Sequence, residues 1–437
     1  MRSQATHELG TNFFDYRDDE EALIQEDEVA QALAERGCLF EDPAFPASAE
    51  SLYRTPQQPP AGALPASLAV WGRVSQQEVR RCHTPVTFPN DRALAAVAQG
   101  ALGDSWLVSA LNMLAPFPDR LKNVVVSDRH SDKGVYTLKL FKEGTWRYLH
   151  LDDRLPCSPS RAPQYCSCKD SNQARHAVWA PFIEKAFAKL HGCYESLGRG
   201  SIEQGLRSLT GAPLLRTSLL GLSPRHDLGE KGSGYGSAAS KKSERHRLEL
   251  WTKMKKWQER GCVMGCCRSV ELDRVRNQQA SYPSPMVRPG IMTNGRRKTG
   301  LTVGLGYGIL RVCEVSVEAT RSHDAVSFKL VQLGCPRWLG HWQGAWSSES
   351  GFWERYPSVK TQLLPQSRKN QRSASSSSTQ RGGGGGEGGG GGGGGGESAI
   401  TTPVRGESGE DASSFWMAFD DFAAEFSRAR FRGGERI

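Results

Sequence analysis

The chain has 437 residues, 38% hydrophobic and 8% aromatic, which is enough for two or three domains with sizeable cores. A mean hydropathy of −0.52 and 48 glycines put a large fraction outside any core, and no run of about 18 apolar residues is present to span a membrane. The net charge of +9 comes from scattered basic pairs such as Arg80-Arg81, Lys241-Lys242, Lys255-Lys256 and Arg296-Arg297-Lys298, without interleaved aromatics. That pattern describes a mildly basic surface and argues against a nucleic-acid site.

The eleven cysteines include Cys157, Cys166 and Cys168 in one stretch and Cys262, Cys266 and Cys267 in another. The polar opening Met1–Gly10 does not read as a secretory leader, so reduced thiols in a cytoplasmic setting are expected. A zinc site at Cys166 and Cys168 lacks the usual two-residue spacing.

In chain order, an acidic, alanine-rich run from Asp18 to Arg36 predicts an amphipathic lead-in helix stopped by Gly37. Phe40–Pro46 should be extended because of its two prolines, and 54–68 should be a loop. Val135–Phe141 and Trp146–Leu151 alternate apolar and polar residues around Lys142-Glu143-Gly144, which describes a β-hairpin. Helical spacing returns over Trp179–Leu190 as a long buried helix, and a shorter helix covers Ile202–Leu209. Past a flexible segment, Leu248–Arg260 reads as helix, with strands at Leu301–Val315, Ser327–Leu333 and Trp338–Trp346. A serine run followed by glycines cannot bury enough apolar surface to fold, but order returns at Ser414–Phe426. The divisions are 1–37, a helical lobe 38–221, a flexible insertion 222–247, a β-rich lobe 248–365, a disordered insertion 366–399, and the end of the β-rich lobe 400–437.

The stretch Gln99–Leu111 carries the chemistry. Gly100 and Gly103 permit tight turns, Asp104 or Ser105 can cap the helix from Trp106 onward, and a group at position 105 would feel the positive field of that helix N-terminus. Two readings stay open on these residues alone: an ordinary capped, buried helix, or a nucleophile site with an oxyanion pocket. The tryptophans Trp106, Trp146, Trp179, Trp342, Trp346 and Trp416 read as core and cleft-wall aromatics.

Eight pieces in one order resemble the protease core of the calpains: FEDPAFP with Ser51-Leu52-Tyr53, the glutamine-to-tryptophan signature at 99–106, GTW to DDRLP at 144–156, WAPFIEKAFAKLHGCYESL at 179–197, LTGAP at 209–213, GYGI at 306–309, WQGAWS at 342–347 and FWMAFDDF at 415–422. The hairpin and AKLHG wording resembles the small-optic-lobes branch. The resemblance implies an α+β, papain-like, two-lobed protease core, with a helical lobe carrying the nucleophile position and a β-rich lobe carrying the base. It also implies a protein or extended peptide segment as the partner in the cleft.

Carried over position by position, the resemblance puts the oxyanion glutamine at Gln99, but Ser105 stands where the family has its cysteine. Leu305 stands for the histidine, and Cys335 for the asparagine that orients it. His323 and His341 are the nearest histidines on the β-rich lobe. The resemblance further implies calcium in each lobe, yet the acidic positions are taken by Ala96, Ala177, His341, Ser348, Ala412 and Ser414, leaving Glu410 and Asp411 as a remnant. The reading is a catalytically degenerate pseudoprotease acting in binding or regulation, and the alternative is an active, calcium-dependent endopeptidase.

Overall fold

The structure, a computed structural model, describes residues 16–60, 69–76, 79, 96–169, 177–219, 236–267, 300–301, 306–319, 325–334, 342–364, 414–426 and 428–432. The insertion 366–399, all but the last residue of a loop expected over 276–300, His323, His341, Leu305 and Cys335 lie outside the described residues, as do Glu410, Asp411 and Ala412.

The lead-in helix α1 (Asp19–Arg36) forms where expected, because the Asp18 side chain caps the Glu21 N–H at 3.0 Å and Gly37 closes the C-terminus in the left-handed region. The segment after it is not simply extended. The Asp42 carboxylate accepts the N–H groups of Ala44 and Phe45 at 3.0 and 3.2 Å, which folds Pro43-Ala44 into a turn. Next come α2 (Ala49–Leu52), β1 (Val70–Arg73), β2 (Ala96–Ala98), α3 (Ser105–Leu114), α4 (Pro118–Lys122) and β3 (Val125–Ser127). The hairpin is β4 (Val135–Lys142) and β5 (Thr145–Asp152), joined through Glu143 and Gly144, both at positive φ as a two-residue turn requires. The first part of the chain ends with β6 (Arg154–Cys157), β7 (Ser167–Lys169), α5 (Trp179–Leu190), α6 (Ile202–Thr210) and β8 (Leu214–Ser218).

The second part holds α7 (Gly236–Glu259), β9 (Met264–Cys267), β10 (Gly306–Val317), β11 (Val326–Gly334), α8 (Phe352–Arg355), α9 (Pro357–Leu363), β12 (Ser414–Ala418), α10 (Phe419–Glu425) and β13 (Arg428–Arg432). A six-stranded antiparallel sheet runs β12-β11-β10-β9-β13-β8, so β8, from the first part of the chain, forms one edge. The period of two sorts its side chains between two cores. Ile309, Val331 and Met417 join Trp251 and Met254 of α7 on one face, while Leu330 and Trp416 join Trp346, Trp353 and Val359 on the other. A separate core gathers α3, α5, α6 and the hairpin. This is the α+β arrangement expected, a helical part against a β-rich part.

Two further expectations are corrected. α7 begins at Gly236, twelve residues before Leu248, because Ala238, Ala239, Lys241 and Lys242 are competent helix formers that extend the packed turn of Leu250 and Trp251; the flexible insertion 222–247 is therefore helical from 236 on. The described part of the strand expected over Trp338–Trp346 is a turn. There the Trp342 indole N–H donates to the Ala345 carbonyl at 2.7 Å and Trp346 takes φ 65°. The hairpin forms as expected, and both faces of β4 are buried. α1 covers the polar one: Glu26 accepts the hydroxyls of Ser127 (2.7 Å) and Thr137, and Asp19 accepts from Lys139 and Tyr148 at 2.7 and 2.8 Å.

Candidate functional site

The turn into α3 is held from three sides. Gly100 lies so close to the next loop that a Cβ would sit 2.1 Å from the Tyr165 carbonyl oxygen, and the Ala101 N–H donates to Gln164 at 3.1 Å. On α3 itself, the Asn112 side chain accepts the Val97 N–H and donates to the Val97 carbonyl, both at 2.9 Å, so it ties β2 to the helix as a strand neighbour would. The Trp106 indole donates to the Leu197 carbonyl at 2.8 Å and lies over Gly200, where a Cβ would meet its ring at 2.3 Å.

Ser105 is the first residue of α3 and the only one of its ten that is not buried. Its hydroxyl has no hydrogen-bond partner among the described residues. None of the four described histidines hydrogen-bonds to it: His130 meets Asp27, His150 lies between Thr137 and Tyr16, His191 stacks on Phe187, and His246 is on α7. Gln99 is brought to the same turn, where its amide donates to the Leu102 carbonyl at 2.7 Å while its buried Oε1 is left without a donor. One amide hydrogen of Gln99 remains for a ligand oxygen.

The β-rich part reaches this turn through β10. Gly306, its first residue, donates its N–H to the Ser109 hydroxyl at 3.1 Å, one helical turn beyond Ser105, and Met113 packs where a Gly306 side chain would stand. The register pair Gly308 and Gly334 sets the start of β10 beside the end of β11, so the described neighbours of positions 305 and 335 lie at one end of the sheet, the end that meets α3.

Sequence reasoning misjudged Asp104. It occupies the N-cap position, but its side chain makes no cap hydrogen bond; the carboxyl is fully buried and turned toward Glu184 of α5. Burial raises Asp104, against a hydrogen bond from Glu184. Burial and then the Asp104 charge push Glu184 well above the usual carboxylate range. The apolar run WAPFIEKAFAKL also conceals two buried cations. Lys185 meets Asp152 at 2.5 Å and Lys189 meets Asp42 at 2.8 Å, so α5 joins the segment after α1 to the end of the hairpin. Burial would raise Asp152, but Lys185 and Arg154 outweigh it and hold that carboxyl below its ordinary range.

Calcium takes six to eight oxygens, and two of the implied positions among the described residues supply no side-chain oxygen. Alanine at 96 and 177 offers no side-chain oxygen, Ala177 is buried in the apolar core, and no group of three or more His, Cys, Asp or Glu among the described residues could hold a metal. No helix among the described residues is long and apolar enough to cross a membrane.

Comparison with known proteins agrees with this geometry. The family profile described as calpain family cysteine protease matches residues 40–374. Calpain-type cysteine protease DEK1 of Zea mays is 27% identical over 367 residues, covering 81% of this chain and 14% of the relative. Calpain-A of Drosophila melanogaster is 27% identical over 399 residues, 90% of this chain and 36% of the relative. Calpain-10 of Mus musculus is 36% identical over 186 residues, 41% of this chain and 26% of the relative. The chain thus spans well under half the length of each.

Proposed function

The chain belongs to the calpain family of cysteine proteases, and from that premise we propose that it is a catalytically degenerate member, a pseudoprotease that binds an extended protein segment and acts by binding or regulation. One observation carries the reading: the Ser105 hydroxyl, at the position of the family's nucleophile, has no base among the described residues. An alcohol ionises far above neutrality and needs a neighbouring base to attack a carbonyl. Leu305 cannot accept a proton, and Cys335 offers no amide to orient an imidazole. Gln99 and substrate binding alone would leave a rate about a thousand-fold or more below that of a complete triad. The hairpin and AKLHG wording supports a place near the small-optic-lobes branch, and the cysteine usage supports a reducing, cytoplasmic setting.

The test is hydrolysis of casein and of a peptide library, with and without calcium, by the full chain and by Ser105→Ala. Equal, background rates are expected for both proteins. Hydrolysis that Ser105→Ala abolishes, or labelling of Ser105 by a fluorophosphonate, would establish the active endopeptidase instead.

A further inference from the structure

We propose that Asp104 and Glu184 are a positioning pair: their two carboxyl groups share one proton beneath position 105 and so lock the loop from Gln99 to Asp104 onto helix α5. The inference holds whether or not Ser105 has a base, and it does not rest on the proposed loss of activity.

Both side chains are out of water, Asp104 at 0% and Glu184 at 2% exposure. The Glu184 oxygens accept the Cys166 N–H at 3.1 and 3.3 Å, whereas neither Asp104 oxygen receives a hydrogen bond from an N–H or hydroxyl among the described residues. The packing brings the two groups together: Ala101 of the loop donates to the Gln164 carbonyl at 3.1 Å and Gly100 lies against Tyr165, the two residues just before the Cys166 that donates to Glu184, and the Asp104 and Glu184 carboxyls face each other there. Two touching, buried carboxylates need a cation or a proton. No cation serves them among the described residues: Lys185, the next residue on α5, is spent on Asp152, and Lys189 on Asp42. The other ionisable groups facing the pair are acids whose pKa burial pushes up, namely Cys166 and Tyr165 beside β7 and Tyr194 after α5.

A proton is what remains. Held on Glu184 it gives Asp104 its missing donor, leaving Glu184 free to accept from Cys166, and the pair carries a single negative charge located on Asp104. That charge sits next to position 105 and opposes ionisation there, against the field of the α3 N-terminus. The loop is thereby tied to α5 by one strong, charge-assisted hydrogen bond.

A thiol introduced by Ser105→Cys reports on this charge. Its alkylation by iodoacetamide, followed on the peptide containing position 105 by mass spectrometry from acidic to alkaline pH, gives an apparent pKa in the full chain. Adding Asp104→Asn removes the charge and should lower that pKa by about one to two units. Adding Glu184→Gln mimics the protonated acid, keeping a donor for Asp104 and an acceptor for Cys166, and should leave the pKa within a few tenths. Glu184→Ala should lower the melting temperature where Glu184→Gln does not. If Glu184→Gln lowers the thiol pKa as far as Asp104→Asn does, Glu184 is ionised and the proposal fails. It fails equally if Asp104→Asn shifts nothing. Should Asp104→Asn not fold, infrared difference spectra of wild type minus Glu184→Gln at neutral pH decide: a protonated-carboxyl band supports the pair, and its absence overturns it.

Discussion

The contact between α3 and β10 is a seam in which a single hydrogen atom does the work of a side chain, and Gly306→Ala tests it. A Cβ at 306 would stand 2.4 Å from the Met113 Cε, 3.0 Å from the Ser109 Cβ and 3.4 Å from the Ile202 Cδ1. Carbon atoms at rest are about 3.5–4.0 Å apart, so the Met113 terminus must retreat by more than 1 Å or the strand must lift off the helix. Lifting would also stretch the 3.1 Å bond from the Gly306 N–H to Ser109. Overpacking of this kind costs about 1–3 kcal/mol. Met113→Ala alone leaves a cavity and costs about 2–5 kcal/mol. Because the new methyl would partly fill that cavity, the double variant should be less unstable than the sum of the singles by about 1–3 kcal/mol. Urea unfolding of the four proteins, followed by tryptophan fluorescence, measures the coupling. Additivity within about 0.5 kcal/mol would refute the seam as described.

Two further outcomes follow from buried charge. Burial holds His150 down to about 3, below its value near 6.5 in the unfolded chain. Its folded pKa is the lower one, so neutral His150 contributes fully above pH 6.5 and the contribution is lost as pH falls toward 3. The stability of wild type relative to His150→Gln should therefore drop by about 3 kcal/mol between pH 6.5 and 4; a flat difference over that range would show that His150 is solvated. Lys189→Met strands the buried Asp42 carboxylate, whose remaining donors are the Ala44 and Phe45 N–H groups on its other oxygen, and should cost about 3–5 kcal/mol. Adding Asp42→Asn removes the stranded charge and should recover part of that loss in the same unfolding assay. A double variant no more stable than Lys189→Met would count against the ion pair.

Local rules alone determined much of this chain. The limits of α1, α5, α6 and the hairpin follow from caps, glycine stops and apolar period, because those signals act within a few residues. The frame of the site was equally legible, since the turn before α3 depends on glycines that neighbour it in the chain, and the eight family pieces identified its fold. What only the tertiary structure decided involves partners far apart in sequence. Asp104 looks like a helix cap until Glu184, eighty residues on, takes its carboxyl. Thr137, Lys139 and His150 alternate with apolar residues along the hairpin, and the partners that bury them come from α1 and from Tyr16 just before it. Lys185 and Lys189 find their counter-charges in the hairpin and in the segment after α1, and Glu184 finds its donor at Cys166. A buried charge is specified by its distant counter-charge, and the spacing of residues along one helix or strand cannot name that partner. The stretch from Gln99 to Ser105 was readable because its constraints are local, and its electrostatics were not, because the group that sets them arrives from another helix.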